Sequence, residues 1–137
     1  MQPDRAIKIA VLAMGGEGGG VLVDWMVSAA QREGHAVQAT SVPGVAQRTG
    51  ATIYYLEILP NPREAGRPPV FALMPTPGDV DLVVASELME AARAVQRGLV
   101  TSDRTLLIAS SHRVYAMPEK MAMGDGRVDA SAFRSRC

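Results

Sequence analysis

The apolar run Ile7-Lys8-Ile9-Ala10-Val11-Leu12 passes directly into Ala13-Met14-Gly15-Gly16-Glu17-Gly18-Gly19-Gly20. Five glycines among the six residues 15–20 allow positive φ and a close approach of ligand or neighbouring chain, which side chains would block. A strand that enters such a turn and leaves it as a helix belongs to an α/β layer structure. The first turn of that helix presents free N–H groups and a positive dipole end, so the turn suits an anion or a carbonyl-rich loop from a partner.

Strand-like and helix-like segments alternate after the turn. Residues 7–13 are aliphatic on both parities, the pattern of a strand covered on both faces. From Gly18 to Glu33, the residues Leu22, Trp25, Met26, Ala29 and Ala30 recur at helical spacing, with Asp24, Gln31, Arg32 and Glu33 off that stripe. Gly34 ends the helix and residues 36–41 read as a second strand, which predicts a βαβ unit with a right-handed crossover. The β-rich run 51–58 is a third strand. Residues 60–69, with four prolines, form a surface loop, and a short strand is expected over residues 70–73. Asp81–Ala85 is a buried-type strand; Ser86 is placed to cap a helix over 87–97 with Leu88, Met89, Ala92 and Val95 inward, closed by Gly98. Thr105–Ala109 is the last clear strand.

These elements predict a three-layer, Rossmann-like α/β domain with a mostly parallel sheet over residues 1–115. Residues 116–137 form an irregular tail. No covering helix follows the last strand, and Val128-Asp129-Ala130 reads as the opening of another helix. The expectation is a C-terminal truncation, the tail being the start of a missing region; cover by another subunit is the alternative.

Composition restricts the function. Fourteen Lys and Arg balance fourteen Asp and Glu, and only two of the cations are lysines, Lys8 and Lys120. Nucleic acid is excluded on that count, since phosphate contacts need clustered cations. The single cysteine, Cys137, cannot hold an iron–sulfur cluster or close a disulfide within the chain. The N-terminus lacks a leader pattern, and no apolar stretch approaches the roughly 18 residues of a membrane span, so a cytoplasmic protein off the membrane is expected.

The glycine turn fails the nucleotide fingerprints. In G-x-G-x-x-G, a start at Gly16 places Val21 at the sixth position and a start at Gly18 places Val23 there. The second strand ends in Ser41-Val42-Pro43-Gly44 with no acid for a ribose, and no lysine follows the glycines as a Walker loop requires. Glu17 would repel a phosphate unless a cation intervened. A turn that merely lets a helix pack tightly on a strand stays open as a reading.

Taken with Pro43-Gly44-Val45-Ala46-Gln47-Arg48-Thr49-Gly50 and Gly78-Asp79-Val80-Asp81-Leu82-Val83-Val84-Ala85-Ser86-Glu87, the turn makes three ordered motifs within residues 6–115. Together they resemble the gamma component of 2-oxoacid:ferredoxin oxidoreductases. That family usually carries G-x-G-G-Q-G at the first turn; Ala13 replaces its first glycine and Glu17 its glutamine, and Thr49 stands where a glycine is common. The resemblance implies a subunit of a multi-component enzyme that decarboxylates an aryl or other 2-oxoacid and passes electrons to ferredoxin or another acceptor. It implies that thiamine diphosphate, Mg and the iron–sulfur clusters sit on partner subunits, an alpha-type thiamine-binding subunit among them. This chain alone would then bind no cofactor or metal and be inactive by itself, with coenzyme A a candidate contact. Gly124-Asp125-Gly126 has the form of a thiamine-motif start, but only eleven residues follow and the downstream asparagines are absent, so it reads as a surface turn.

Arg48 and Gln47 are the candidate catalytic residues. Arg48 is expected at the carboxyl edge of the sheet, where a guanidinium pairs bidentately with a carboxylate or phosphate, or with Glu17. Gly15, Gly16, Glu17, Gly18, Gly44 and Thr49 are the candidate contacts to cofactor, substrate or partner. Ser110, Ser111 and His112 follow a strand end, but nothing beside them argues a triad and His112 reads as a polar edge residue. Glu87 and Glu90 read as a solvated helix face with Arg93 and Arg97. A stand-alone Rossmann-like module for a phosphorylated ligand is the alternative function.

Overall fold

The computed structural model describes residues 5–43, 50–62, 68–115, 117–125, 127 and 129–135. Its elements are β1 (Ile7–Met14), α1 (Gly19–Arg32), β2 (Ala36–Pro43), β3 (Ala51–Leu59), β4 (Leu82–Ala85), α2 (Leu88–Gln96), β5 (Leu106–Ala109), α3 (Met117–Met121) and α4 (Ala130–Arg134). The strands form one sheet in the order β2-β3-β1-β4-β5. β1 pairs parallel with β4, and β4 with β5, whereas β3 runs antiparallel between β1 and β2. Four strands therefore share one direction, and the two strands that flank α1 in sequence are separated by β3.

Alternation along β1 divides the core between two faces. Ile9 and Val11 pack with Val23 of α1 and Leu56 of β3, while Ala10 and Leu12 pack with Val83, Ala85, Ala91 and Ala94 beneath α2. Fully burying one such Leu or Val side chain stabilises the fold by about 1.5–3 kcal/mol.

The inward stripe of α1 differs from the predicted one. Gly19, Val23 and Ala30 are buried, with Met26 and Val27 packed beside them, and Leu22 and Trp25 lie outward, Trp25 70% exposed. A close contact sets this rotation: a Cβ on Gly19 would sit 2.5 Å from the Ala13 Cβ and 3.0 Å from the Tyr54 ring, so the first turn of α1 rests on β1 and β3. At its end Gly34 adopts φ +79° while the His35 amide donates to the Ala30 carbonyl, as the predicted glycine stop requires.

The second helix is also rotated from expectation. Its N-cap is Glu87 rather than Ser86, and Leu88, Glu90, Ala91 and Ala94 face inward while Val95 is exposed. Residues 70–73 are not a strand. They cross the face of β2 and β3, held by side chains: Gln38 Nε2 donates to the Ala72 carbonyl (3.3 Å) and Thr40 Oγ1 to that of Leu73 (2.7 Å).

α1 covers β1, β2 and β3, and α2 covers β4, β1 and β5 on the other face. Leu106 and Ile108 of β5 stand beside Leu82 and Val84, on the α1 face, and are 62% and 53% exposed. The open apolar face expected after the last strand is therefore present at β5. In the tail, α4 begins where the sequence suggested, its start capped by Asp129, whose carboxylate accepts from the Ser131 amide at 2.8 Å.

Candidate functional site

The ends of β1, β4 and β5 and the start of β3 meet at one rim of the sheet, which collects the glycine turn, the β4–α2 corner and residues 110–114. Ligands of open α/β sheets occupy this carboxyl edge.

Gly15 extends the β1–β3 ladder, its amide donating to the Gly50 carbonyl at 3.0 Å. Gly16 and Gly18 take φ of +85° and +78°, with nothing among the described residues within 4 Å of where a Cβ would stand. Gly18 is the N-cap of α1, and no side chain among the described residues caps that helix. The glycines thus divide. Gly19 and Gly20 serve close packing on Ala13 and Tyr54, while Gly16 and Gly18 form a crown with no close neighbour among the described residues.

Glu17 turns inward from that crown. Its Oε2 accepts from the Met14 amide (3.0 Å) and from the Ser86 hydroxyl, and its own amide donates to the Met14 carbonyl (3.2 Å). Ser86 is itself fixed on β1, its amide donating a hydrogen bond to the Leu12 carbonyl (3.0 Å). Of the other predicted contacts, Gly44, Gln47, Arg48 and Thr49 lie outside the described residues, so the Arg48–Glu17 pairing stays an expectation.

Glu87 and Glu90 are 1% and 3% exposed, so they are no solvated face. Glu87 Oε2 accepts from the Met89 and Glu90 amides at 2.7 and 3.1 Å, while Oε1 accepts from Arg113 Nη1 (3.2 Å) and the Val114 amide (3.1 Å). Arg113 reaches on to Glu119 (2.5 Å) and lies 5.1 Å from the centroid of the Tyr115 ring. Burial pushes the Glu90 carboxyl above its ordinary range, and Arg93, in contact with it, pulls the other way. A small recess lined by Met14, Glu87, Met89, Glu90, Arg93, Val114 and Glu119 lies among these groups. Ser110, Ser111 and His112 are exposed; the His112 carbonyl takes the Leu88 amide at 2.9 Å.

Sequence reasoning missed Ser86, Glu87 and Arg113 as builders of this rim. A signal existed for one of them: Glu87 with Glu90 three residues on has the acidic spacing of a helix start. Arg113 had none, because its partner lies 26 residues away.

Among the described residues, no three metal-ligating side chains cluster, and no helix is long and apolar enough to cross a membrane. A thiolate-held iron–sulfur cluster does not fit a sequence with one cysteine. Asp125 of the Gly124–Gly126 segment is engaged locally. Arg127 grips it at 2.7 and 2.8 Å and holds its carboxyl down at about 2.

The profile of the pyruvate ferredoxin/flavodoxin oxidoreductase family matches residues 8–134. In fold the chain is similar to pyruvate oxidoreductase subunit PORC from Thermotoga maritima, at 20% identity and TM-score 0.53 over 76% of this chain and 50% of that one. It is also similar to the 2-oxoglutarate:ferredoxin oxidoreductase of Magnetococcus marinus, solved with 2-oxoglutarate, coenzyme A and succinyl-CoA bound. There the identity is 15% and the TM-score 0.59, over 82% of this chain and 18% of that one. The chain spans half the length of the first structure and less than a fifth of the second. No curated protein sequence matches it.

Proposed function

The chain belongs to the pyruvate ferredoxin/flavodoxin oxidoreductase family, and from that premise we propose that it is the non-cofactor, gamma-type component of a thiamine diphosphate-dependent 2-oxoacid oxidoreductase. Its substrate in this reading is an arylpyruvate of the indolepyruvate type, the chain corresponding to subunit beta of indolepyruvate oxidoreductase. The α/β domain over residues 1–115 is the part of the chain assigned this role. Thiamine diphosphate, Mg and the iron–sulfur clusters sit on partner subunits, and electrons leave to ferredoxin or another acceptor. Those cofactors supply the decarboxylation and the electron transfer; this chain supplies a surface that shapes and closes the site.

One observation carries the reading. At the rim, Glu17 and Glu87 are spent on holding backbone in place, with Ser86 and Arg113 donating to their carboxylates, while nothing among the described residues lies within 4 Å of where a Cβ on Gly16 or Gly18 would stand. A surface so built presents main chain to whatever docks. It carries a carboxylate where a nucleotide phosphate would need a donor. Gln47 and Arg48 precede β3 in the sequence, and Arg48 is the residue assigned to the partner-held substrate carboxylate.

The test is co-expression with a thiamine-binding alpha-type subunit, followed by pull-down and dye reduction with indolepyruvate, pyruvate and 2-oxoglutarate. A stable complex with dye reduction highest on indolepyruvate is expected. A monodisperse isolated chain that binds nucleotide, without assembly, would overturn the proposal. Arg48→Ala is expected to lower turnover by about tenfold to a hundredfold, the loss of one charged hydrogen bond; full activity in an assembled variant removes Arg48 from the site.

A further inference from the structure

The family's usual residue in the first turn is glutamine and this chain has Glu17, so the work done by that side chain is open to direct reading. Both of its hydrogen bonds fall on a single oxygen, Oε2, which takes the Met14 amide from the end of β1 and the Ser86 hydroxyl from the end of β4. Oε1 has no hydrogen-bond donor among the described residues, and Glu17 has no ion-pair partner among them. β1 and β4 are parallel neighbours, so this one oxygen ties the glycine turn to the corner where α2 begins. Ser86 has one hydroxyl proton, and its other acceptor, the Leu12 carbonyl at 3.4 Å, lies beyond the usual O–H···O range. The residues that Glu17 restrains are glycines, which have the most backbone freedom to lose.

We propose that Glu17 is a positioning residue: acting through Ser86, its Oε2 locks the Gly15–Gly18 turn to the β4–α2 corner and presents the crown to the partner subunit already shaped. The role depends on an acceptor oxygen and not on charge. A glutamine side chain carries such an oxygen with two lone pairs and can accept both donors at the same place. Preshaping matters because an unrestrained four-residue turn would lose its freedom on docking and weaken assembly by that amount. The presentation to a partner rests on the function proposed above; the lock does not.

Hydrogen exchange of the amides of residues 14–20 in the isolated chain tests the lock, using Glu17→Ala, Glu17→Gln, Ser86→Ala and the double variant Glu17→Ala/Ser86→Ala. Glu17→Ala is expected to speed exchange in the turn by about tenfold or more, the loss of hydrogen bonds to a charged acceptor, while β3 amides keep their rates. Glu17→Gln is expected to speed exchange clearly less than Glu17→Ala, because the neutral oxygen still accepts from both donors, each bond being weaker than to a carboxylate. Ser86→Ala is expected to speed exchange in the parent and to add nothing in the Glu17→Ala background, since the shared bond is already lost. Equal effects of Ser86→Ala in both backgrounds, or a Glu17→Gln as fast as Glu17→Ala, overturns the inference. Affinity for the alpha-type subunit, measured on the same variants, separates the two claims. If exchange responds as stated and assembly does not, the lock stands and the docking reading of the turn falls.

Discussion

Both rims of the sheet concentrate carboxylates, and they use them in opposite ways. At the carboxyl rim, Glu17 and Glu87 are directed chiefly at main-chain amides and one hydroxyl: Met14, Ser86, Met89, Glu90 and Val114. At the opposite rim, Asp79 and Asp81 are mainly paired with the cations Lys8, Arg104 and Arg5, with Arg104 lying 2.5 Å from Asp79 and 3.2 Å from Asp81, and Asp81 also accepts from the Lys8 amide at 2.9 Å. Glu57 there is 4% exposed and takes the Tyr55 hydroxyl (2.6 Å) and the Ala72 amide (3.0 Å), with Lys8 at 3.9 Å. A rim closed by cation pairs fastens side chain to side chain and finishes a fold. A rim closed by amide-directed carboxylates fixes the path of turns and leaves their outer surface available.

If the contrast is real, the largest loss should come from Glu87. Glu87→Ala removes a helix cap and strips the buried Arg113 of one of its two carboxylates, an expected destabilisation of about 3 kcal/mol by denaturant titration. A loss under about 1 kcal/mol would mean that Glu87 does not organise the rim. Next comes Gly19→Ala, whose Cβ collides with Ala13 and Tyr54. Overpacking of that kind costs about 1–3 kcal/mol and should appear as a lower melting temperature; a neutral result would show that α1 shifts freely on the sheet.

The far rim should respond more weakly and in a different pH range. Tyr55→Phe is expected to cost about 1 kcal/mol by removing one acceptor bond from Glu57. Burial and the adjacent Glu57 push the Tyr55 phenol well above its ordinary 10. The folded phenol therefore keeps its proton after the unfolded one ionises, and stability falls as pH rises beyond 10. Tyr55→Phe should remove that alkaline loss. On the carboxyl rim the counterpart is Glu90, raised above 4.5 by burial. Unfolded Glu90 ionises first as pH rises from 4.5, so the folded state holds the extra proton and stability falls through that window. The difference between parent and Glu90→Gln denaturation midpoints at pH 4 to 7.5 isolates this slope, and a parallel pair of curves would refute it. The smallest effect belongs to Arg5→Ala. Its pair with Asp81 joins side chains 47% and 26% exposed, and a change of about 0.5 kcal/mol or less is expected.

Much of the fold is legible along the chain because it depends on local rules. The strands at 7–14, 36–43, 51–59 and 106–109, the glycine stops at Gly34 and Gly98, and the helix opening at Ala130 follow from patterns within a few residues. Errors arose where two local readings were equally good. Leu22-Trp25-Met26-Ala29-Ala30 and Gly19-Val23-Met26-Val27-Ala30 are both helical stripes; Gly19 against Tyr54, 35 residues apart, decided between them. Glu87 and Glu90 look like a solvent face by residue type, and become a buried one because Arg113 and the Val114 amide arrive from beyond β5. Residues 70–73 have strand composition, yet Gln38 and Thr40 hold their carbonyls across a face where no ladder can form. The candidate site was legible in one half: the glycine turn was visible, and the corner it is tied to was not.

By itself, the sequence determined the α/β class, the position of the glycine turn at a strand end, its mismatch to the nucleotide fingerprints, and the three ordered motifs that point to the family. Each of these is a property of neighbours in the chain or of motif order. Only the tertiary structure decided that β3 runs between β1 and β2, which face of each helix is buried, and that Glu17 is spent on Ser86. Those outcomes are competitions among distant groups for the same space and the same donors, and a local pattern carries no information about who wins.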